Sequence, residues 1–128
     1  MERDFTMFPK DNNGEILWIA YQNGLEMGAE HIVRFALIFP EADSALKFGV
    51  FLLRHGYWVQ VNELDDKPGF LGEVLVEMGL DATHEGITGA EVWLAKNSSG
   101  IGGTSDGWEI QRKLSTLIES EFTELPST

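Results

Sequence analysis

The alternation of side chains from His31 to Phe39 constrains the fold more than any other feature of this chain. Val33, Phe35, Leu37 and Phe39 fall on one face at a period of two, and Arg34, Ala36 and Ile38 fall on the other. A helix would scatter those apolar groups around its axis, so the segment reads as a strand with one face on a core. Pro40 ends it, because proline offers no backbone donor. Glu41 and Asp43 are acids suited to the first turn of a helix, where unpaired amides carry partial positive charge. Ala42, Ala45, Leu46, Gly49, Leu52 and Leu53 then recur at helical spacing to about His55, and Gly56 closes the helix. A strand that turns through proline into an amphipathic helix is the opening of a layered sheet-and-helix domain.

Further alternating runs follow. Tyr57, Val59 and Val61 alternate with Trp58, Gln60 and Asn62 in a second strand, Tyr57 to Glu63. Asp65-Asp66-Lys67-Pro68-Gly69 is turn chemistry. A third strand runs from Phe70 to Ala82, with Val74, Val76, Met78 and Leu80 on one face and Glu73, Leu75 and Glu77 on the other; Gly79 holds the place of a bulge. A second helix spans about His84 to Lys96, although Gly86 and Gly89 weaken its propensity. The glycine-rich loop Asn97 to Gly103 leads to a fourth strand, Thr104 to Gln111. Ahead of these elements, Glu15 to Asn23 reads as a short helix with Asn12 or Asn13 as its cap and Gly24 at its end. A short tail helix is predicted over Leu114, Leu117 and Ile118, fraying at Pro126.

After its N-terminal helix the order is β-α-β-β-α-β, the ferredoxin-like α+β pattern: a four-stranded antiparallel sheet with two helices on one face. In that arrangement the first and third strands are central. The 128 residues read as a single domain, 1–128, with a core over about 12–111 and flexible ends at 1–11 and 120–128. The open sheet face would carry Arg34, Ala36, Trp58, Gln60, Asn62, Glu73, Leu75, Glu77, Glu109 and Gln111.

Chemistry is narrowed by what the residues do not supply. There are no cysteines, which excludes disulfides, thiolate metal sites and cysteine nucleophiles. His31, His55 and His84 are not spaced as a metal pair and read as surface or capping groups. Asp11-Asn12-Asn13-Gly14-Glu15 only glances at a calcium loop, since Ile16 and Gln22 stand where glycine and glutamate are required. Gly100-Ile101-Gly102-Gly103 follows a helix and precedes a strand, the reverse of a dinucleotide cradle. No Gly-x-Ser-x-Gly elbow occurs, and Glu73 with Glu77 reads as solvated sheet-face acids rather than a glycosidase pair. The expectation is a binding protein with no catalytic residues, cofactor or metal.

The formal net charge of −12, from 21 acidic and 9 basic residues, points away from direct contact with nucleic acid or anionic membranes. The central strands offer no aromatic platform for stacking bases. No apolar run approaches the roughly 20 residues of a membrane helix, and Met1-Glu2-Arg3-Asp4 does not open a signal peptide, so the cytoplasm is the expected location.

Four segments taken together resemble the regulator of ribonuclease E activity B family. Asn13-Gly14-Glu15-Ile16-Leu17 through Gly24 is similar to its opening segment. The junction from His31–Phe39 into Pro40-Glu41-Ala42-Asp43-Ser44-Ala45 resembles its strand-to-helix turn, and His55-Gly56-Tyr57-Trp58-Val59 its start of the second strand. Gly102-Gly103-Thr104-Ser105-Asp106-Gly107-Trp108-Glu109 resembles its closing block, with Ser105 standing where an aromatic is usual. The order and spacing cover roughly residues 12–110, and Asp106, Gly107 and Trp108 are the most specific piece. The resemblance implies a ferredoxin-like fold and a protein that binds and modulates, as an inhibitor, the RNA-degrading endonuclease ribonuclease E, thereby altering RNA turnover. Acidic groups facing a basic partner segment would then be Glu63, Asp65, Asp66, Glu73 and Glu77, with Trp58 as an aromatic anchor. The alternative is a self-associating module, a homodimer paired through Trp58, Ala36, Ile38 and Leu75, that binds a small molecule.

Overall fold

The computed structural model describes residues 2–26 and 28–113. The elements in chain order are α1 (Asn12–Gln22), β1 (Glu30–Phe39), α2 (Ala42–Arg54), β2 (Trp58–Glu63), β3 (Gly72–Asp81), α3 (His84–Ser98), a 3-10 turn (Ser99–Ile101) and β4 (Thr104–Lys113). Among the described residues the fold is α+β, with a four-stranded antiparallel sheet in the order β2-β3-β1-β4 and three α-helices. The plain β-α-β-β-α-β series is therefore extended by α1 in front and by the 3-10 turn before β4. That turn ends at Gly102 in the left-handed region, φ +83°, where a glycine has no Cβ to clash. The predicted tail helix lies outside the described residues.

Contacts divide the chain into two compact units. One takes the described residues up to Ile32, then Gly79–Ala90 and those from Ile110 onward; the other takes Val33–Met78 and Glu91–Glu109.

In the second unit the alternation holds. Val33, Phe35, Leu37 and Phe39 are buried, as are Val74, Val76 and Met78 of β3. The buried stripe of α2, Ala45, Phe48, Gly49 and Leu52, lies on this face, with the Phe48 ring 5.7 Å from Phe39. Close approach needs small residues here. A Cβ on Gly49 would stand 2.6 Å from Val61 Cγ2, and one on Gly72 would stand 2.6 Å from Ala45 Cβ. The last turns of α3 complete the cover, with Leu94 buried and Trp93 stacked 5.8 Å from Phe51. Trp93 carries no strong periodic signal in the sequence, yet it also meets His55 and Tyr57 edge-on. Ile38 differs from expectation. It belongs by parity to the open face but is only 7% exposed, so it contributes little to an apolar docking area.

In the first unit, α1 begins three residues earlier than its apolar spacing predicts. Its cap is Asp11, whose Oδ1 accepts the Gly14 N–H at 2.8 Å, rather than Asn12 or Asn13. Residues ahead of the cap are tied to it. Phe8 is 2% exposed, with its ring 5.3 Å from both Trp18 and Tyr21. Arg3 donates to the carbonyls of Phe8 and Pro9 and to Glu15 Oε1. A segment without periodicity thus packs through one aromatic and one guanidinium, features that a periodicity search passes over.

Candidate interaction face

The face of the sheet turned away from α2 is organised by cross-strand pairs. In the β2–β3 register Trp58 stands opposite Glu77, Gln60 opposite Leu75 and Asn62 opposite Glu73. Arg34, a charge set within the apolar run Ile32–Phe39, reaches across from β1. Its Nη2 donates to Glu77 Oε2 at 2.7 Å, and its guanidinium lies 5.4 Å from the Trp58 ring centre. The pair is shielded, with the Glu77 side chain 12% exposed. Arg34 Nε is buried with no hydrogen-bond partner. Further along, Asn62 Nδ2 donates to Glu73 Oε1 at 2.9 Å, and Gln60 Nε2 donates to Asn62 Oδ1 at 3.0 Å.

Beside this network lies a hollow of about 340 Å³. Arg34, Ala36 and Leu75 line it from the central strands, and Asp106, Gly107, Trp108 and Glu109 line it from β4. Gly107, within β4 at the hollow, adopts φ +105°, a conformation that non-glycine residues rarely take. Asp106 Oδ2 is held 3.2 Å from Lys67 Nζ, from the turn between β2 and β3.

The predicted residues therefore separate into groups. Trp58 and Glu77 meet around Arg34. Glu73 is engaged by Asn62. Glu63, Asp65 and Asp66 are exposed at the end of β2 and in its turn. Asp106, Gly107 and Trp108 line the hollow. The sequence reading did not assign Arg34, Lys67 or Glu109 to a site; the charge at position 34 inside an apolar alternation is the one signal that marks the first of them.

The histidines sort differently from expectation. His31 is buried, with Nδ1 2.8 Å from the Ala29 carbonyl, rather than a surface group. His55 is exposed and packs on Phe51. His84 Nε2 lies 2.7 Å from Asp11 Oδ2. The Gly14 N–H first, and His84 second, hold the Asp11 carboxyl below its ordinary pKa. A second hollow, of about 320 Å³, opens there among Thr6, Met7, Gly28, Thr83, His84 and Glu85. Among the described residues no group of acids and histidines is arranged to hold a metal ion, and no helix is long and apolar enough to cross a membrane.

A family model described as regulator of ribonuclease activity B matches residues 10–110. The chain belongs to the regulator of ribonuclease activity B family. The match takes in α1, all the connections and β4 as far as Ile110, so the face and its hollow lie wholly inside it. No curated protein matches the chain. Membership of this family points to regulation of ribonuclease activity and to a ribonuclease as the protein partner.

Proposed function

We propose that this family member is a non-catalytic, cytoplasmic regulator that binds ribonuclease E through the open sheet face and thereby modulates RNA turnover. We read its fold as a ferredoxin-like domain extended at the N-terminus. The observation that carries the reading is the position of Asp106-Gly107-Trp108. The most specific segment of the family resemblance lines a hollow on the sheet face turned away from α2.

The net charge of −12 favours a basic partner segment and steers its approach. Glu77 is already neutralised by Arg34, so the acids available to such a segment are Glu63, Asp65 and Asp66 at the β2 turn, with Glu73 beside them. Trp58, exposed and backed by Arg34, is the aromatic anchor. The test is cleavage of a fluorescent RNA oligonucleotide by ribonuclease E with increasing amounts of the chain, at low and at moderate salt. A dose-dependent change in rate that weakens with salt and is lost in Trp58→Ala is expected. An unchanged rate at both salts sinks the proposal.

A further inference from the structure

We propose that the hollow beside Asp106 receives a lysine or arginine side chain of a protein partner, and that Lys67 holds Asp106 in the free chain as an internal competitor. The inference deepens the reading above and rests on it for the partner's identity, but the hollow and the competition stand on their own geometry.

The lining fits a cation on a long apolar stem. Ala36 and Leu75 form apolar walls, Trp108 offers an indole, and Asp106 and Glu109 supply carboxylates. Lysine and arginine bury their methylene stems on such surfaces while the charged head finds an anion or an aromatic face. At about 340 Å³ the space suits one side chain rather than a packed element. Arg34 does not reverse the sign of the site, because Glu77 holds its guanidinium at 2.7 Å and Trp58 lies against it.

Lys67 shows that Asp106 accepts an ammonium in this setting, at 3.2 Å. That contact is also weak enough to exchange. Its side chains are 39% and 33% exposed, and solvent screens pairs of this kind. A partner cation therefore meets a site that is only partly vacant, and its apparent affinity is reduced by the fraction of chains in which Lys67 sits on Asp106. Removing Lys67 should tighten binding, whereas removing most acidic-surface contacts would loosen it.

A second lysine provides the control. Lys47 lies 3.3 Å from Asp43 on α2, so Lys47→Ala also deletes one positive charge and frees one aspartate, but away from the hollow. The probe is a fluorescently labelled arginine-serine repeat peptide, titrated by anisotropy at low salt. Lys67→Ala is expected to bind it about threefold more tightly than wild type, Lys47→Ala about as wild type, and Asp106→Asn more weakly, with the gain from Lys67→Ala absent in the double variant. Equal tightening in the two lysine variants would mean that only the overall field acts, and overturns the inference, as does failure of the peptide to bind. A circular dichroism melt of Asp106→Asn checks that the variant is folded. If the peptide pattern holds while ribonuclease E ignores the chain, the nuclease reading fails and the hollow stands. If ribonuclease E responds while the peptide does not distinguish Lys67 from Lys47, the hollow fails and the nuclease reading stands.

Discussion

Phe35 and Ala36 are neighbours in sequence and face opposite ways, and the two sheet faces they belong to are held by different physics. The face of Phe35, Leu37, Val74 and Val76 is buried under α2 and the end of α3, where removal of apolar area from water is the driving term. The face of Ala36 carries Arg34 on Glu77 and Trp58, and Asn62 on Glu73. Burial by area is non-directional and tolerates many partners. Polar pairing is directional, and each group depends on the strand register that brings its partners within reach.

The sharpest break between the faces is a pair of truncations. Phe35→Ala should cost about 3–5 kcal/mol in a urea melt, through lost transfer energy and the cavity left behind. Leu75→Ala, half-buried on the other face, should cost about 1 kcal/mol. Similar losses at the two positions would erase the distinction. Next in size is Arg34→Ala, which takes the guanidinium away from the shielded Glu77 carboxylate and should cost about 2 kcal/mol. A double-mutant cycle with Glu77→Gln should return a coupling of about 1 kcal/mol; zero coupling would mean that the open face is not organised by this pair. Gly107→Ala follows. A Cβ there meets nothing within 4 Å, so the cost is the φ +105° backbone alone, about 1–2 kcal/mol. Little loss of stability in its melt would mean that the backbone at position 107 does not depend on glycine.

This difference also explains what could be read from the chain. The alternation at Val33–Phe39 and Val74–Met78 gave β1 and β3 to within two residues at the ends, because period two reports burial directly. The placing of Trp58, Glu73 and Glu77 on one face was legible for the same reason. Their partners were not. Arg34 meets Glu77 across 43 positions of sequence, and Lys67 meets Asp106 across β3 and α3. Composition favours no such pairing over another, so Glu77 looked like a free acid and Asp106 like a motif letter. Ile38 shows the limit of periodicity, since its parity was right but its burial was set by neighbours the strand pattern does not contain.

The smallest expected effect extends the pairing rule beyond the sheet. Asp11 accepts the Gly14 N–H and meets His84, and both interactions favour its ionised form, so its folded pKa lies below the ordinary aspartate value. A depressed pKa contributes stability that is fully present above the unfolded pKa and is lost as pH falls through the folded one. Asp11→Asn keeps a cap acceptor for Gly14 but removes the charge. The variant should therefore melt slightly below wild type at neutral pH, and the gap should close as the solution is taken into acid below the ordinary aspartate range. Asp11→Ala, which loses the cap as well, should melt lower still and keep a residual gap in acid. A gap for Asp11→Asn that does not change with pH would assign Asp11 to local capping geometry alone, with no contribution from its charge.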